Sequence, residues 1–350
     1  MEKLNINGRL VGPGEPPYFI AEIGSNHNGD MELCKKMIDS AIECGADAVK
    51  FQSWSKKTLI SKAEYERNTT YSDTHRHFGT LKEMVEKYEF THEQHLEILA
   101  YCKEKGVDFM SSAFSPEEVD MLLDMGIDYI KLASMDVTHL PLLKYIGSKG
   151  CQVLLSTGMA SMGEIETAVR TLREAGSGPI LLFHCISIYP PEYEDIHLNN
   201  IKTLQQAFDL PVGFSDHTIG SSIPLASVAI GACMVEKHFT TDKDMEGWDH
   251  WISADPAELE VICRQGMNVW KALGSTVRTV SEAEMEKRKK FRRRLVTTRA
   301  VKKGETFKVE DFDFLRPGTG IGPEELDYAV GRVASRDLAD GDELEWTDFE

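Results

Sequence analysis

Residues 108–134, DFMSSAFSPEEVDMLLDMGIDYIKLAS, contain two short apolar runs on either side of an amphipathic segment. The runs Asp108–Phe114 and Tyr129–Ser134 have the length and composition of buried β-strands. The segment Pro116–Met125 between them has apolar residues at helical spacing, begins with a proline and is followed by Gly126, as helices commonly are. The stretch therefore predicts a strand–helix–strand unit, which joins two parallel strands of one sheet.

The same alternation continues through residues 1–275. Six further apolar runs predict strands at Tyr18–Ile23, Ala48–Gln52, Gln152–Thr157, Pro179–Cys185, Pro211–Ser215 and Met234–Phe239. Helices are predicted between them at Glu32–Glu43, His92–Lys105, Met162–Ala175, Asn200–Phe208 and Ser221–Ile230. Eight such units, with strands too apolar to face water on either side, predict a (β/α)8 TIM barrel. The alternative is an open doubly wound sheet, but no Gly-x-Gly-x-x-Gly motif follows the first strand.

The composition is that of a globular protein, since 41% of the 350 residues are hydrophobic and 27% are charged. The net charge of −18 disfavours nucleic acid or an acidic membrane as a partner. No apolar run approaches the roughly 18 residues of a membrane helix, and Met1–Pro17 does not resemble a signal peptide. We therefore expect a cytoplasmic protein whose seven scattered cysteines are buried, reduced thiols.

The composition changes after Gly274. Ser281–Arg294, SEAEMEKRKKFRRR, is a charge run, and within an acidic chain it favours a solvated linker or helix over a nucleic-acid site. We place a charged linker at 276–294 and a separate domain at 295–350. That domain contains a pseudo-repeat in which three pairs of residues match at one offset: Gly304 with Gly341, Phe307 with Leu344, and Phe312 with Phe349. Two similar turn units predict a small β-rich domain with internal two-fold character.

Barrel enzymes carry their active sites at the carboxyl ends of the strands. Here each predicted strand delivers a polar side chain at or just beyond that end. These residues are Glu22, Lys50, Gln52, Ser112, Lys131, Ser134, Ser156, Ser187, Tyr189, Ser215, His217 and His238. One such residue is usually hydrogen-bonded to a loop, but eight polar strand ends together predict an active site. The longest loop here, Ser53 to about Met84, is polar and contains histidines, so it could be a lid, a subunit contact or a surface insertion.

Two histidines end neighbouring strands of the predicted barrel. His217 and His238 could bind one divalent ion, because adjacent strands lie about 4.8 Å apart. The alternative is a pair of ordinary hydrogen-bonded histidines. We expect Asp216 to orient one of the imidazoles, as groups next to ligating histidines commonly do.

Two lysines lie among small hydroxyl groups at the same mouth. The set is Lys50, Lys131, Ser112, Ser134, Ser156 and Ser215. These groups could hold phosphate and carboxylate, because each hydroxyl can orient an oxygen that a lysine neutralises. Structural ion pairs are the alternative use of the lysines. Glu22 could act as a general base, hold a sugar hydroxyl or pair with one of the lysines.

Eight motifs, in chain order, are FIAEIGSNHNGD, VKFQ, SSAFS, IKLAS, LSTGM, HCISIYP, FSDHT and EKHFT. In this order they resemble the sialic acid synthase (N-acetylneuraminate synthase) family, the phosphoenolpyruvate-dependent synthases of nine-carbon 2-keto sugar acids. The segment RPGTG resembles the antifreeze-like (SAF, β-clip) domain of the same family. The resemblance spans nearly the whole chain. It implies a transferase that condenses phosphoenolpyruvate with an N-acetylmannosamine-type sugar aldehyde and releases phosphate by C–O cleavage.

The resemblance also implies roles for individual residues. His217 and His238 would bind a divalent metal ion, Mn²⁺ or Mg²⁺. Phosphoenolpyruvate would contact Lys50, Ser112, Lys131, Ser134, Ser156 and Ser215, and the acceptor sugar would contact Glu22, Gln52, Tyr189 and Asp249. Arg316, in the RPGTG turn, would reach into the active site of the partner subunit. That role implies a homodimer with swapped C-terminal domains.

Some positions depart from the common pattern of the family, and one of these departures is Ser112-Ala113 in place of a common Thr-Pro. Ser187, which we include among the substrate-binding residues, stands where many members have asparagine, and Trp248 stands where a proline or a small residue is usual. The acceptor is therefore open, since a 2,4-diacetamido-trideoxyhexose would give legionaminic or pseudaminic acid by the same chemistry. A metal-dependent aldolase and an inactive sugar-binding homologue are further alternatives. The inactive homologue is disfavoured because the residues taken as catalytic are all present: Glu22, Lys50, Lys131, His217 and His238.

Overall fold

A computed structural model describes residues 1–68 and 79–350. Within these ranges the chain forms two units, Met1–Gly274 and Ser275–Glu350. The histidines of the loop from Ser53 to about Met84 lie outside the described residues, so a lid or subunit contact there stays a prediction. No helix in the described ranges combines the length and the apolar character needed to cross a membrane.

Eight parallel strands close into a barrel, which confirms the predicted architecture. A hairpin of β1 (Leu4–Ile6) and β2 (Arg9–Val11) precedes them. The barrel strands are β3 (Tyr18–Gly24), β4 (Ala48–Ser53), β5 (Asp108–Ala113), β6 (Tyr129–Leu132), β7 (Gln152–Ser156), β8 (Ile180–Cys185), β9 (Val212–Asp216) and β10 (Met234–His238). They are hydrogen-bonded in chain order, and β10 closes the barrel by pairing with β3.

A helix follows each barrel strand. The helices of this unit are α1 (Met31–Cys44), α2 (Lys62–Arg67), α3 (Leu81–Tyr88), α4 (His92–Lys105), α5 (Pro116–Asp124), α6 (Leu140–Ser148), α7 (Met162–Ala175), α8 (Asn200–Phe208), α9 (Ser222–Ile230) and α10 (Pro256–Leu273). Helices α6 and α10 complete their βα units and are not among the predicted ones. The start of α10 could have been predicted from the sequence, because Asp255 and Glu258 have the spacing of a capping box and Pro256 lies in the first turn.

The strands are buried on both faces, as their apolar sequences predict. On β3 and β10 all residues are buried. Alternate side chains point into the barrel, so Tyr18, Ile20 and Glu22 share one face of β3. At the carboxyl ends of the strands the inward-facing side chains are polar, and these side chains form the candidate active site.

The hairpin of β1 and β2 closes the opposite end of the barrel. The backbone of Asn5 exchanges hydrogen bonds of 2.7 and 2.8 Å with the side chain of Gln152, the first residue of β7. Tyr18, at the start of β3, donates to Asp108, at the start of β5, at 2.6 Å. No strand is predicted in Met1–Pro17, because strands of three residues are too short to show a period.

The second unit contains α11 (Glu282–Phe291), β11 (Arg294–Thr297), β12 (Phe312–Leu315) and α12 (Leu326–Ala329). Strands β11 and β12 pair antiparallel. Helix α11 carries most of the charge run and has no buried residue, so this part of the run is a solvated helix. Arg294, the last residue of the run, is buried at the start of β11 and not part of a linker.

The pseudo-repeat of the second unit is reproduced in its turns. Gly304 and Gly341 have φ angles of 85° and 81°, in the left-handed region that favours glycine. Two arginine–aspartate pairs repeat with the same Nε–Oδ1 distance of 2.6 Å: Arg299 with Asp311, and Arg336 with Asp348. The hydrophobic core of the unit includes the matched residues Phe307, Leu344, Phe312 and Phe349.

Candidate active site

A cavity of about 490 Å³ opens at the carboxyl ends of the barrel strands. All eight strands contribute side chains to it: Glu22, Lys50, Ser112, Lys131, Ser156, Cys185, Ser215 and Glu236. Gln52, Ser134, Ser187, Tyr189, His217, His238 and Asp249 also line it. The structure therefore brings together every site residue predicted in the barrel. Arg316 belongs to the second unit, where it is exposed and its guanidinium carbon lies 5.6 Å from the ring centre of Phe291.

The floor of the cavity holds four charged groups in contact. Lys50 Nζ lies 2.6 Å from Glu22 Oε2 and 3.7 Å from Glu236 Oε1. Lys131 Nζ lies 3.5 Å from Glu236 Oε2. The two lysines are each 3% exposed. Carboxylates thus lie beside both buried ammonium groups, and the ion pairs themselves line the cavity.

The four predicted hydroxyl groups surround this floor. Ser112 accepts from Lys50 at 3.2 Å, and Ser156 accepts from Lys131 at 2.7 Å. Ser215 donates to Glu236 at 3.1 Å, and Ser134 accepts from the backbone of Gly158 at 3.0 Å. Each lysine therefore shares its ammonium protons between a carboxylate and a serine, and the oxygens of an anionic ligand fit the same donors.

Burial shifts the pKa values of the charged groups on the floor of the cavity. It raises the pKa of Glu22 to about 7, although Lys50 and the amide of Gln52 partly oppose the shift. Burial also lowers the pKa of Lys131. For Lys50, burial acts in the same direction, but the carboxylates of Glu22 and Glu236 outweigh it and raise the pKa. Glu22 is thus a carboxyl group able to exchange a proton near neutral pH.

The two histidines lie side by side, with His217 directly after β9 and His238 at the end of β10. Their ring centres are 5.5 Å apart, and the ring of Tyr189 is 4.0 Å from that of His217. His217 Nδ1 donates to the carbonyl of Ile186 at 2.8 Å. Because a carbonyl only accepts, this bond places the proton on Nδ1 and leaves the lone pair on Nε2. His238 Nδ1 lies 3.8 Å from Asp249 Oδ2.

This chemistry fits the predicted divalent ion. A carbonyl bonded to the other ring nitrogen is the usual support of a metal-ligating histidine. Residues 1–68 and 79–350 contain no group of three or more His, Cys, Asp and Glu side chains arranged to hold a metal. The two imidazoles would therefore be the protein ligands of the ion, and its other coordination positions would be left to water or substrate.

Asp216 was predicted to orient one of the imidazoles, but its carboxylate bonds to other groups. Its carboxylate pairs with Lys237 Nζ at 2.6 Å and accepts the backbone N–H and the hydroxyl of Thr218 at 3.1 and 3.0 Å. Strand alternation explains the correction, because Ser215 faces the cavity and Asp216 therefore faces the opposite side of β9.

Glu236 is a site residue to which the sequence analysis assigned no role. It contacts both lysines and Ser215, and it lines the cavity. A signal was present, since Glu236 precedes His238 by two positions on one strand and must share its face.

Comparison with known proteins identifies relatives over nearly the whole chain. The profile of the NeuB family matches residues 37–278, and that of the SAF domain matches residues 292–350. N,N'-diacetyllegionaminic acid synthase of Campylobacter jejuni is 40% identical over 332 residues, which cover 93% of this chain and 98% of that protein. N-acetylneuraminate-9-phosphate synthase of Homo sapiens is 34% identical over 328 residues, with coverages of 93% and 90%. The crystal structure of N-acetylneuraminic acid synthetase from Leptospira borgpetersenii, in complex with citrate, matches with a TM-score of 0.71 at 34% identity, covering 82% of this chain and 95% of that one.

Proposed function

The chain belongs to the NeuB family, and we propose that it condenses phosphoenolpyruvate with the open-chain aldehyde of an N-acetylmannosamine-type sugar. The products are a nine-carbon 2-keto sugar acid, known as a nonulosonic acid, and inorganic phosphate. The observation that carries the proposal is the floor of the cavity, where two buried lysines and their serines face a space next to two histidines.

Lys50 and Lys131 are suited to bind the phosphate and carboxylate of phosphoenolpyruvate. Lys131 Nζ is 3.5 Å from its nearest carboxylate oxygen, at Glu236, which is longer than a full charge-assisted hydrogen bond. An anionic oxygen of the substrate that contacts Lys131 from the cavity would form such a bond. Since both lysines are buried, their attraction for the substrate is weakly screened by solvent.

The proposed reaction balances with one water molecule. C3 of phosphoenolpyruvate forms a bond to the aldehyde carbon, whose oxygen takes a proton and becomes a hydroxyl group. Water adds to the resulting cation at C2 and loses a proton. The C2–O bond to phosphate then breaks while the proton of the C2 hydroxyl group passes to the departing phosphate, which leaves the ketone and inorganic phosphate. The lysines stabilise the negative charge on the departing phosphate.

Glu22 is placed to move the proton of that water. Its Oε1 accepts from Gln52 at 3.0 Å and its Oε2 pairs with Lys50, so the carboxylate is held at a fixed orientation. With a pKa of about 7, Glu22 can accept a proton during water addition and return it afterwards. Gln52 is itself held, because its Oε1 accepts from Trp54 at 3.0 Å.

His217 and His238 would hold the divalent ion, Mn²⁺ or Mg²⁺. Such an ion supplies Lewis-acid polarisation of the aldehyde carbonyl when it is bound. Isothermal titration with Mn²⁺ tests the ligands without relying on turnover. We expect binding by the wild-type protein and a large loss of affinity in His217→Ala. Equal affinity in both proteins would contradict the assignment.

Arg316 is proposed to complete the active site of a partner subunit. Its exposure within the second unit and the resemblance of its RPGTG turn support this arrangement. Arg316→Ala and His238→Ala would each be inactive alone. When they are co-expressed, hybrid dimers contain one intact site, so about a quarter of wild-type activity should return. No recovery in isolated hybrid dimers would contradict the trans-subunit role.

The test of the proposed function is phosphate release from phosphoenolpyruvate in the presence of Mn²⁺ and mannosamine-type sugars. Release that depends on the sugar supports the synthase, whereas condensation of pyruvate without phosphate release would indicate an aldolase. Lys131→Met should lower kcat/KM for phosphoenolpyruvate by about 10²–10³-fold, because a charge-stabilising group is lost. Lys202→Met is the matched control, since Lys202 is exposed on α8. Similar losses in both variants would contradict the role of Lys131.

A further inference from the structure

Residues 25–29, SNHNG, follow the first barrel strand and contain two asparagines that the proposed reaction does not use; we call this segment the asparagine loop. Its backbone forms consecutive turns, in which the N–H of Asn26 donates to the carbonyl of Ile23 at 2.9 Å and that of Asn28 to the carbonyl of Ser25 at 3.0 Å. Asn26 is fully buried. Asn28 is half-buried and has a φ of 52°, in the left-handed region that asparagine tolerates better than most residues.

Residues 239–255 connect the last barrel strand, β10, to α10, and we call them the β10 loop. The loop is closed at its base, because Phe239 forms a parallel bridge with Ala254. Near its middle, Trp248 and Asp249 line the cavity. Asp249 Oδ2 lies 3.8 Å from Nδ1 of His238. The conformation of the β10 loop therefore decides where the carboxylate of Asp249 stands in the site.

Asn28 binds the β10 loop just before these two residues. Its Nδ2 donates to the carbonyl of Glu246 at 2.8 Å, across a separation of 218 residues. Its Oδ1 lies 3.4 Å from Nε2 of His250. The ring of His250 is also held on its other side, where Nδ1 and the hydroxyl of Thr240 are hydrogen-bonded at 2.6 Å. The side chain of Asn28 thus contacts the β10 loop on both sides of Asp249.

The fit between the two loops requires a glycine at position 247. A β-carbon at Gly247 would collide with the ring of His250 and would lie 2.8 Å from Oδ1 of Asn28. Both distances are shorter than normal contacts, so a side chain here would force the loops apart. The backbone that leads to Asp249 is therefore packed directly against the asparagine loop.

Asn26 reaches Asp249 from the other end of the β10 loop. Its Nδ2 donates to the carbonyl of Phe239 and to the hydroxyl of Ser253, both at 2.9 Å. The hydroxyl of Ser253 in turn donates to the carbonyl of Asp249 at 2.6 Å. Asn26 and Ser253 are 0% and 1% exposed, so solvent does not replace either bond. The amide of Asn26 therefore fixes the backbone of Asp249 through a single hydroxyl group.

We propose that Asn26 and Asn28 are positioning residues that hold Asp249 in the active site, and that binding of the acceptor sugar depends on them. The inference rests on the proposed function, with Asp249 as a contact of the acceptor. Neither asparagine has to touch the substrate, since both act through the β10 loop. Binding of phosphoenolpyruvate should not depend on them, because its proposed ligands Lys50 and Lys131 belong to β4 and β6.

Steady-state kinetics of phosphate release, with phosphoenolpyruvate and N-acetylmannosamine varied in turn, test the inference. Asn28→Gly removes only the side chain, because glycine adopts a positive φ without strain. We expect the KM of the sugar to rise about ten-fold, since Asp249 is no longer held in place, and the KM of phosphoenolpyruvate to stay within about two-fold. Gly247→Ala disturbs the same contact from the opposite side and should have the same effect.

Asn7→Gly is the matched control. Asn7 has a φ of 47°, and its Nδ2 donates to Asp108 Oδ1 at 2.7 Å at the closed end of the barrel. This variant also loses an asparagine side chain from a left-handed position, but it should leave both KM values unchanged. Amide hydrogen exchange, followed by mass spectrometry, measures the loop without turnover. We expect faster exchange of residues 241–253 in Asn28→Gly than in the wild type or in Asn7→Gly.

The outcomes separate the inference from the proposed function. Faster exchange in Asn28→Gly with an unchanged KM of the sugar would overturn the inference, while phosphate release by the wild type would still support the proposed function. Unchanged exchange of the β10 loop would also overturn the inference. Equal increases in both KM values would show a general structural role instead of positioning for the acceptor. Absence of phosphate release by the wild type with every mannosamine-type sugar would overturn the proposed function, and the acceptor role of the asparagines with it.

Discussion

Asp216 lies inside the FSDHT motif next to a proposed metal ligand, yet its contacts predict a structural role. Its carboxylate is bound by Lys237 and Thr218, and Asp216 and Lys237 are 1% and 2% exposed. We predict that Asp216→Ala strongly destabilises the barrel while the folded fraction keeps near-wild-type kcat/KM. The physical reason is that the variant leaves the ammonium group of Lys237 buried without its counter-charge.

The magnitude follows from the burial of the pair. Removing one partner of a buried ion pair costs about 3–5 kcal/mol, because the other charge remains in a poorly solvated site. Each kcal/mol lowers Tm by about 2–4 °C in a domain of roughly this size, so we expect a decrease of about 6–20 °C. Replacing both groups, in Asp216→Leu with Lys237→Met, should recover most of that loss, since no buried charge is left unpaired.

Thermal unfolding followed by circular dichroism measures the stability, and phosphate release at a temperature well below Tm measures the activity. Asp244→Ala is the control, because Asp244 is exposed in the loop after β10. An unchanged Tm in Asp216→Ala would refute the reasoning. So would a loss of activity above ten-fold in a fully folded variant, which would mean that Asp216 orients the imidazole of His217 after all.

Two further predictions concern the floor of the cavity and the closed end of the barrel. We expect kcat/KM to rise as the pH increases through about 7, because Glu22 has a pKa of about 7 and only its carboxylate form accepts a proton. Glu22→Gln should be about 10²–10⁴-fold slower and lack this rise; a profile that keeps the rise would contradict its role as the base. Ile6→Ala, in the hairpin, should lower the free energy of unfolding by about 2–5 kcal/mol in urea, because its side chain is fully buried. A change below about 0.5 kcal/mol would show that the hairpin does not stabilise the barrel.

The positions of the barrel strands could be predicted because they depend on local patterns. A run such as Gln152–Thr157 is apolar on both faces, and that pattern identifies a buried strand without knowledge of its neighbours. The structure places β7 at Gln152–Ser156. The hairpin at Leu4–Val11 had no comparable pattern, because its stability comes from bonds to residues far along the chain, such as Gln152.

The site residues followed from the strand ends, but of their partners only the pairing of Glu22 with a lysine was among the predicted alternatives. Lys50 and Lys131 were predicted at the mouth of the barrel. A structural ion pair and a position in the ligand site were alternatives for Lys50, and the structure shows both, since Lys50 pairs with Glu22 and lines the cavity. Glu236, which contacts both lysines, was given no role. Which carboxylate meets which lysine depends on how the strands align across the barrel.

The amino-acid sequence by itself determined the order of the βα units, the barrel, the separate C-terminal domain and the polar strand ends. These features depend on residues that are close together in the sequence, so local patterns such as hydrophobic periodicity predict them. Only the tertiary structure decided the side-chain partners. The register of β9 with β10 sets Asp216 opposite Lys237 and Ser215 opposite Glu236. The fold also packs Trp248 and Leu59 against the hydrophobic cluster that contains Phe114, although the three residues are far apart in the sequence.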